Sequence, residues 1–440
     1  MDDLSRSLGG VSRRDVLLGS AAAFGLTLLA GCAPVAGADG AVPLKFWHLL
    51  SGGDGVNMAN LIAKVNSENT GFRANQTVLA WGPPYYTKLA MASAGGRAPD
   101  VAIMHASRIP GYAPGGLLDP WDIDLLAEFG VTEENFPPRV WEKGFSGDKL
   151  FSVALDAHPF ILMYNTDIAE QAGVLGPDGQ LIGMTSPKEF LEVATKMQGV
   201  TGRHGLSYGY LGDGGQMWRL FYTLYKQQGA DMELVPGKTA IVDEDAAVKA
   251  LDFMKTLLDG TVAATNGDYA TAVAEFVNGE SGMFLTGVWE LPTAIAAGIP
   301  FDAMPIPTLF GTPAAYADSH AFVLPHQDAP DEAKRREVYS FVSAILKGSF
   351  DWAEAGHIPA YLPVTESPEY ADLMPQAHYA KAADVINYDP AAWFSGSGSD
   401  FQTYFAESIQ GVLLGDGDSA EGIRGFVRRV NILLSKPNPV

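Results

Sequence analysis

From residue 44 the chain alternates short apolar runs with stretches in which apolar residues recur every three or four positions. LKFWHLL (44–50) reads as a strand and VNMANLIAKVNSEN (56–69) as a helix. TVLAW (77–81), YYTKLAMASAG (85–95) and DVAIM (100–104) then predict strand, helix and strand. Strands alternating with helices predict a parallel sheet with helices packed on it. Ligand crevices in such sheets open beyond the strand C-terminal ends. That places Trp47, His48, the loop SGGDG (51–55), Trp81 and His105 to face one.

A second stretch opens with LFSVALDAHPFILMYN (150–165), two apolar runs broken by Asp156 to Pro159. SPKEFLEVATKM (186–197) carries an N-cap serine, a first-turn proline and Glu189 three residues after the cap, the signature of a capping box. Further helices are predicted at 215–229, 243–258 and 331–346, with two more between 400 and 435. SGMFLTGVWE (281–290) predicts a strand running into a turn with Trp289 at its tip, and AAYADSHAFVLP (314–325) another strand.

The N-terminal pattern differs. Val16 to Ala38 is a run of 23 residues without charge, long enough to cross a bilayer, but it is rich in Gly, Ala, Ser and Thr. Its short apolar heart, preceded by Arg13 and Arg14, reads as a signal peptide. SRRDVL (12–17) resembles a twin-arginine export signal, with Val16 where phenylalanine is usual, so ordinary secretion stays open. LAGC (29–32) resembles a bacterial lipobox, which implies lipidation of Cys32 and a mature chain starting there. Residues 1–31 are then the signal and 32–42 a flexible tether. Cys32 is the only cysteine, so no intrachain disulfide and no cysteine-based zinc site is possible.

Composition narrows the function. With 51 acidic against 29 basic residues the formal charge is −22, which disfavours nucleic acid and anionic lipid surfaces as partners. An apolar content of 47% supports large cores. No HExxH, Walker A or dinucleotide glycine fingerprint occurs, and no cofactor is expected. GLSYG (205–209) matches a nucleophile-elbow spacing but lacks the helix that must follow directly.

Six phrases in order, FWHLLSGGDG, YYTKLAMASAGGRAPDVAIMHASRIPGYAPGGLLDP, LDAHPFILMYN, SGMFLTGVWE, DSHAFVLP and WAEAGHIPAY, resemble the extracellular solute-binding proteins of carbohydrate ABC importers. The resemblance covers about 12–363 and fades after 365. It implies a two-lobed α/β fold of the periplasmic-binding-protein type (type II), with a sugar held between lobes joined by a hinge. It places chain crossings near 155, 295 and 348, hence one lobe of 43–155 and 296–348 and another of 156–295 and 349–440. It further implies a monomer that captures a sugar, an oligosaccharide or glycoside, by lobe closure and delivers it to importer membrane subunits.

A sugar presents apolar CH faces and a fan of hydroxyls, so its site needs flat rings and planar or charged hydrogen-bonding groups. The residues of those types at predicted strand ends and turns are Trp47, His48, Trp81, Tyr85, His105, Arg108, Asp156, His158, Trp289, Glu290, Ser319, His320, Trp352 and His357. Five of the eight histidines fall within the resembling phrases, but they are too scattered in sequence to establish a metal site. Two rival readings stand beside the sugar binder. One is a secreted glycoside hydrolase using Asp156 and Glu290 as its carboxylate pair; the other is a binder of a peptide or polyamine.

Overall fold

A computed structural model describes residues 40–439. The expected signal peptide, the lipobox cysteine Cys32 and tether residues 33–39 lie outside the described residues.

The first lobe is built on a six-stranded sheet. Val42–His48 pairs in parallel with Phe72–Val78 on one side and Val101–His105 on the other. His320–Pro325 then adds antiparallel to Val101–His105, and Leu118–Asp119 and Ser152–Ala154 pair with it. Helices cover both faces, which is why the central strands are largely apolar. On one face Phe46, Phe72, Phe322 and Phe341 interlock beneath the helices Gly52–Glu68 and Glu332–Lys347. Tyr85, Tyr86 and Leu89 of the helix Pro83–Ala94 pack on the other. The strand expected at 77–81 lies five residues earlier. Phe72–Val78 is the sheet edge, where Asn75 to Val78 are exposed, so its sequence is polar and the apolar signal comes from the exit loop.

The second lobe is organised around Asp156–Asn165, a strand buried along all ten residues. It pairs antiparallel with Ser281–Gly287, Phe301–Pro305, Ala315–Asp318 and Ile358–Pro359. His204–Ser207 extends the sheet in parallel beside Ser281–Gly287. The helix Gly214–Lys226 and the C-terminal helices Asp400–Leu413 and Ser419–Leu434 form the core beside it, where Trp218 meets Phe401, Phe405 and Phe426. Ser186 caps the helix Pro187–Thr201 by accepting from the Glu189 amide, and the Glu189 carboxylate reaches back to accept from the Thr185 amide and hydroxyl.

The paired strands mark three passages of the chain between the two sheets. Leu155 separates strands of different sheets, as expected near 155. The passage expected near 295 instead lies at Ser319, because Phe301–Pro305 still completes the ladder of the central strand. AAYADSHAFVLP is therefore two strands, split at Ser319 between the two sheets. The third passage falls after Trp352 rather than near 348: Asp351 still pairs with Lys64 of the first lobe at 2.9 Å, and Ile358 is the first residue back in the second sheet.

Candidate functional site

The two sheets bound a cleft of ≈ 410 Å³. The first lobe supplies Leu49 to Asp54, Trp81 and His105, and the second supplies His158, Asp213, Arg219, Tyr269, Trp289, Glu290 and Thr293, with His320 beside the Ser319 passage. The SGGDG loop reaches the cleft because the strand Val42–His48 ends there and the helix Gly52–Glu68 starts at once.

The floor lies where the chain passes between lobes. Register sets its composition: His320 is opposite His105, and Asp156 is opposite Pro359, two residues after His357. The buried Asp156 carboxylate accepts from His158 Nδ1 and from the His320 backbone N–H, both at 2.9 Å, on Oδ1. Its Oδ2 meets His320 Nδ1 at 2.8 Å and accepts from Trp352 Nε1 at 2.7 Å. His357 stacks on Trp352 with ring centroids 4.4 Å apart. Its Nδ1 lies 3.3 Å from Asp156 Oδ2 and its Nε2 3.1 Å from Asp54 Oδ1. His105 closes the group, 5.0 Å from His320 ring to ring, and its Nδ1 bonds Tyr86 Oη at 2.6 Å.

The wall is built differently. Trp289 carries the Arg219 guanidinium over its ring at 4.7 Å. Its indole N–H donates to Tyr269 Oη at 2.7 Å, and that hydroxyl donates to Glu290 at 2.6 Å. Gly287 lets the ring fold back over the strand, since a Cβ there would stand 1.9 Å from it. Arg219 Nε is buried and has no hydrogen-bond partner. Trp81, on the other lobe, is 42% exposed at the same cleft. Gly53 packs so closely on Pro292 of the second lobe that a Cβ would stand 2.8 Å from it, so the lobes touch at the cleft rim.

Electrostatics separate floor from wall. Burial alone would raise the Asp156 carboxyl; the imidazoles of His320, His158 and His357 outweigh it and hold the group well below the usual carboxylate range. Burial and the neighbouring His320 push His158 down to about 3, so it is neutral. His357 is raised despite burial because Asp54 and Asp156 flank it. On the wall, burial raises Glu290 above the usual range, against the hydrogen bond from Tyr269.

Six of the residues proposed from sequence line the cleft: Trp81, His105, His158, Trp289, Glu290 and His320. Asp156, Trp352 and His357 lie beneath it, each fully buried. The remaining five lie outside. His48 points into the first-lobe core and bonds Gln76 at 2.8 Å, because its strand is covered on both faces. Trp47, on the alternate face of that strand, packs against the helix Pro83–Ala94 under Lys88. Tyr85 is also core, its hydroxyl donating to the Ile103 carbonyl at 2.5 Å. Arg108 lies over Tyr86 and reaches the Ser395 carbonyl at 3.4 Å, and Ser319 bonds Tyr388 at 2.7 Å. A larger groove of ≈ 690 Å³ runs past Trp47, Pro83, Pro84 and Met91 on one lobe only. It lacks the converging polar groups of the interlobe cleft, which carries the chemistry.

Sequence reasoning passed over Asp213, Arg219, Tyr269 and Thr293. Arg219 had a legible signal, a lone charge inside the apolar helical run QMWRLFYTLY. Tyr269 had none, since it joins the site only through Trp289 and Glu290.

Residues 60–392 match the family described as bacterial extracellular solute-binding protein. An uncharacterized lipoprotein of Streptomyces antibioticus is 30% identical over 184 residues, 42% of this chain; the chain spans 39% of that relative's length. Among solved structures, the GacH receptor of Streptomyces glaucescens, known unliganded and with acarbose, superimposes with a TM-score of 0.74 at 20% identity, over 90% of this chain and 98% of that one. Maltose-bound MalE3 of T. maritima gives 0.73 at 16% identity, over 89% and 100%. An ABC substrate-binding protein of Listeria monocytogenes in complex with cycloalternan gives 0.72 at 16%, over 90% and 99%. The two-lobed α/β architecture expected from sequence is the one these structures share.

Proposed function

Because the chain belongs to the bacterial extracellular solute-binding proteins, we propose that it captures a sugar, an oligosaccharide or glycoside, in the interlobe cleft and hands it to an ABC importer. One observation carries the reading: Trp81 and Trp289, one from each lobe, line a single cleft together with Arg219, Tyr269 and Glu290. Flat rings match the apolar faces of a sugar, while the guanidinium, phenol and carboxylate match its hydroxyls. A ligand touching both lobes favours the state in which they are closed, since only differential affinity shifts such an equilibrium. The sugars bound by the acarbose, maltose and cycloalternan proteins support the same choice.

Binding, rather than catalysis, is the activity assigned. A glycosidase of the two-carboxylate kind needs a free acid and a free base or nucleophile. Asp156, the partner expected for Glu290, is fully buried and both its oxygens are occupied, so that pair does not supply one. In the cell the protein acts as an exported monomer, held to the membrane by lipid on Cys32; the LAGC sequence and the lipoprotein relative support that anchor. Thermal unfolding of the chain from Cys32 onward against a sugar panel tests the reading. A cognate oligosaccharide at 100 times its dissociation constant stabilises by about 2.7 kcal/mol. Response to a polyamine or peptide with none to any sugar overturns it, and release of cleaved sugar over hours moves the protein to the hydrolases.

A further inference from the structure

We propose that Asp156, His158, His320 and His357 form a site for one divalent transition-metal ion, of the zinc or cobalt class, at the floor of the cleft. Their ligand atoms all lie within 4.8 Å of one another and all four residues are buried. Three imidazole Nδ1 atoms converge on one carboxylate, at 2.9, 2.8 and 3.3 Å. A tetrahedral ion with bonds of about 2.0–2.1 Å sets neighbouring ligand atoms roughly 3.3 Å apart; the three N–O separations already match that within a few tenths of an ångström, and no pair of ligand atoms exceeds 4.8 Å. The His158, His320 and His357 rings, with centroids 4.3, 5.3 and 6.0 Å apart, already surround one point.

Hydrogen bonding alone leaves this arrangement incomplete. The two oxygens of Asp156 are taken by His158, His320 and Trp352, and buried His357 has no geometrically sound hydrogen bond at either nitrogen. Its Nδ1 faces the carboxylate while its Nε2 faces Asp54 at 3.1 Å. That is the orientation of a metal-ligating histidine whose outer nitrogen is held by a second carboxylate. Three nitrogens and one oxygen suit zinc, cobalt or nickel; calcium and magnesium require sets dominated by oxygen. The ligands come from the strands Asp156–Asn165 and His320–Pro325 and from the segment entering Ile358–Pro359, so the ion would tie together the three passages between lobes.

Cobalt titration of the purified, chelator-treated full chain without sugar is the test. The expected result is visible tetrahedral cobalt absorption that saturates at one ion per chain, displaceable by zinc, with thermal stabilisation by zinc and none by magnesium or calcium. Asp54→Asn should weaken cobalt binding about tenfold through the outer carboxylate, and His357→Gln should weaken it further. The wild-type titration needs no variant to fold: no saturable absorption and no zinc stabilisation overturns the proposal. The proposal does not rest on the sugar reading, and a sugar panel run in chelator keeps the two apart. A sugar response without metal binding sinks the metal site alone, and metal binding without any sugar response sinks the sugar reading alone.

Discussion

The floor and the wall of the cleft use the same kinds of side chain to different ends. On the floor, Asp156 draws three histidines and a tryptophan from three separate chain passages into a buried cluster. On the wall, Arg219, Trp289, Tyr269 and Glu290 form a chain of contacts with partly exposed members and a guanidinium nitrogen still unpaired. A buried charge whose partners are saturated holds a fold together, whereas polar groups left unsatisfied at a cleft are available to a ligand. The nitrogens left over on the floor belong to His357, sealed beneath the cleft, whereas on the wall the one left over belongs to Arg219, which lines it, and that difference predicts opposite consequences for mutation.

Asp156→Ala should break the floor. Removing the carboxylate strands buried imidazole and indole donors, and a loss of about 3–5 kcal/mol is expected in chemical denaturation at neutral pH. A loss below about 1 kcal/mol would mean that the cluster is not a structural hub.

A second buried aspartate sharpens the contrast. Asp389 accepts from Trp218 and Tyr316 and lacks imidazole neighbours, and burial pushes its carboxyl up to about 7. The folded protein thus keeps a proton that the unfolded chain releases near 4, so stability should fall as pH rises from 4 to 7 and level off above. The loss is on the order of 4 kcal/mol. In Asp389→Asn that decline should vanish, as read by urea unfolding at pH 5 and pH 8; an unchanged pH slope would assign it elsewhere.

On the wall the effects should appear in affinity. Arg219→Ala is expected to cost about 2 kcal/mol of sugar binding by calorimetry, and Trp289→Ala more than about 1 kcal/mol, both with little change in unfolding temperature. Comparable losses of stability in these variants would erase the distinction between wall and floor. Trp47→Ala, outside the cleft, should leave affinity within about 0.5 kcal/mol.

Much of the first lobe was legible because covered parallel strands and amphipathic helices have strong periods. The helices 186–197, 215–229 and 243–258 were found within a few residues for the same reason. The passage at Ser319 was not, since FDAMP carries no alternation and its strand identity comes from the ladder it completes. Each floor histidine stood out as a residue, yet their convergence did not. It depends on pairing between segments about 160 to 200 positions apart, which no local pattern encodes. Trp47, His48 and Tyr85 looked equally suited to a cleft, but Trp47 and His48 belong to a strand covered on both faces and Tyr85 to the buried face of a helix that covers it.

The three passages also fix how the molecule can move. In a rotation of one lobe against the other about these crossings, atoms beside them would travel little while atoms farther out would sweep arcs in proportion to their radius. Trp289, its ring 6.1 Å from that of His158, sits close to the passages, so in such a rotation it would stay near the pivot while the opposite lobe swings toward it.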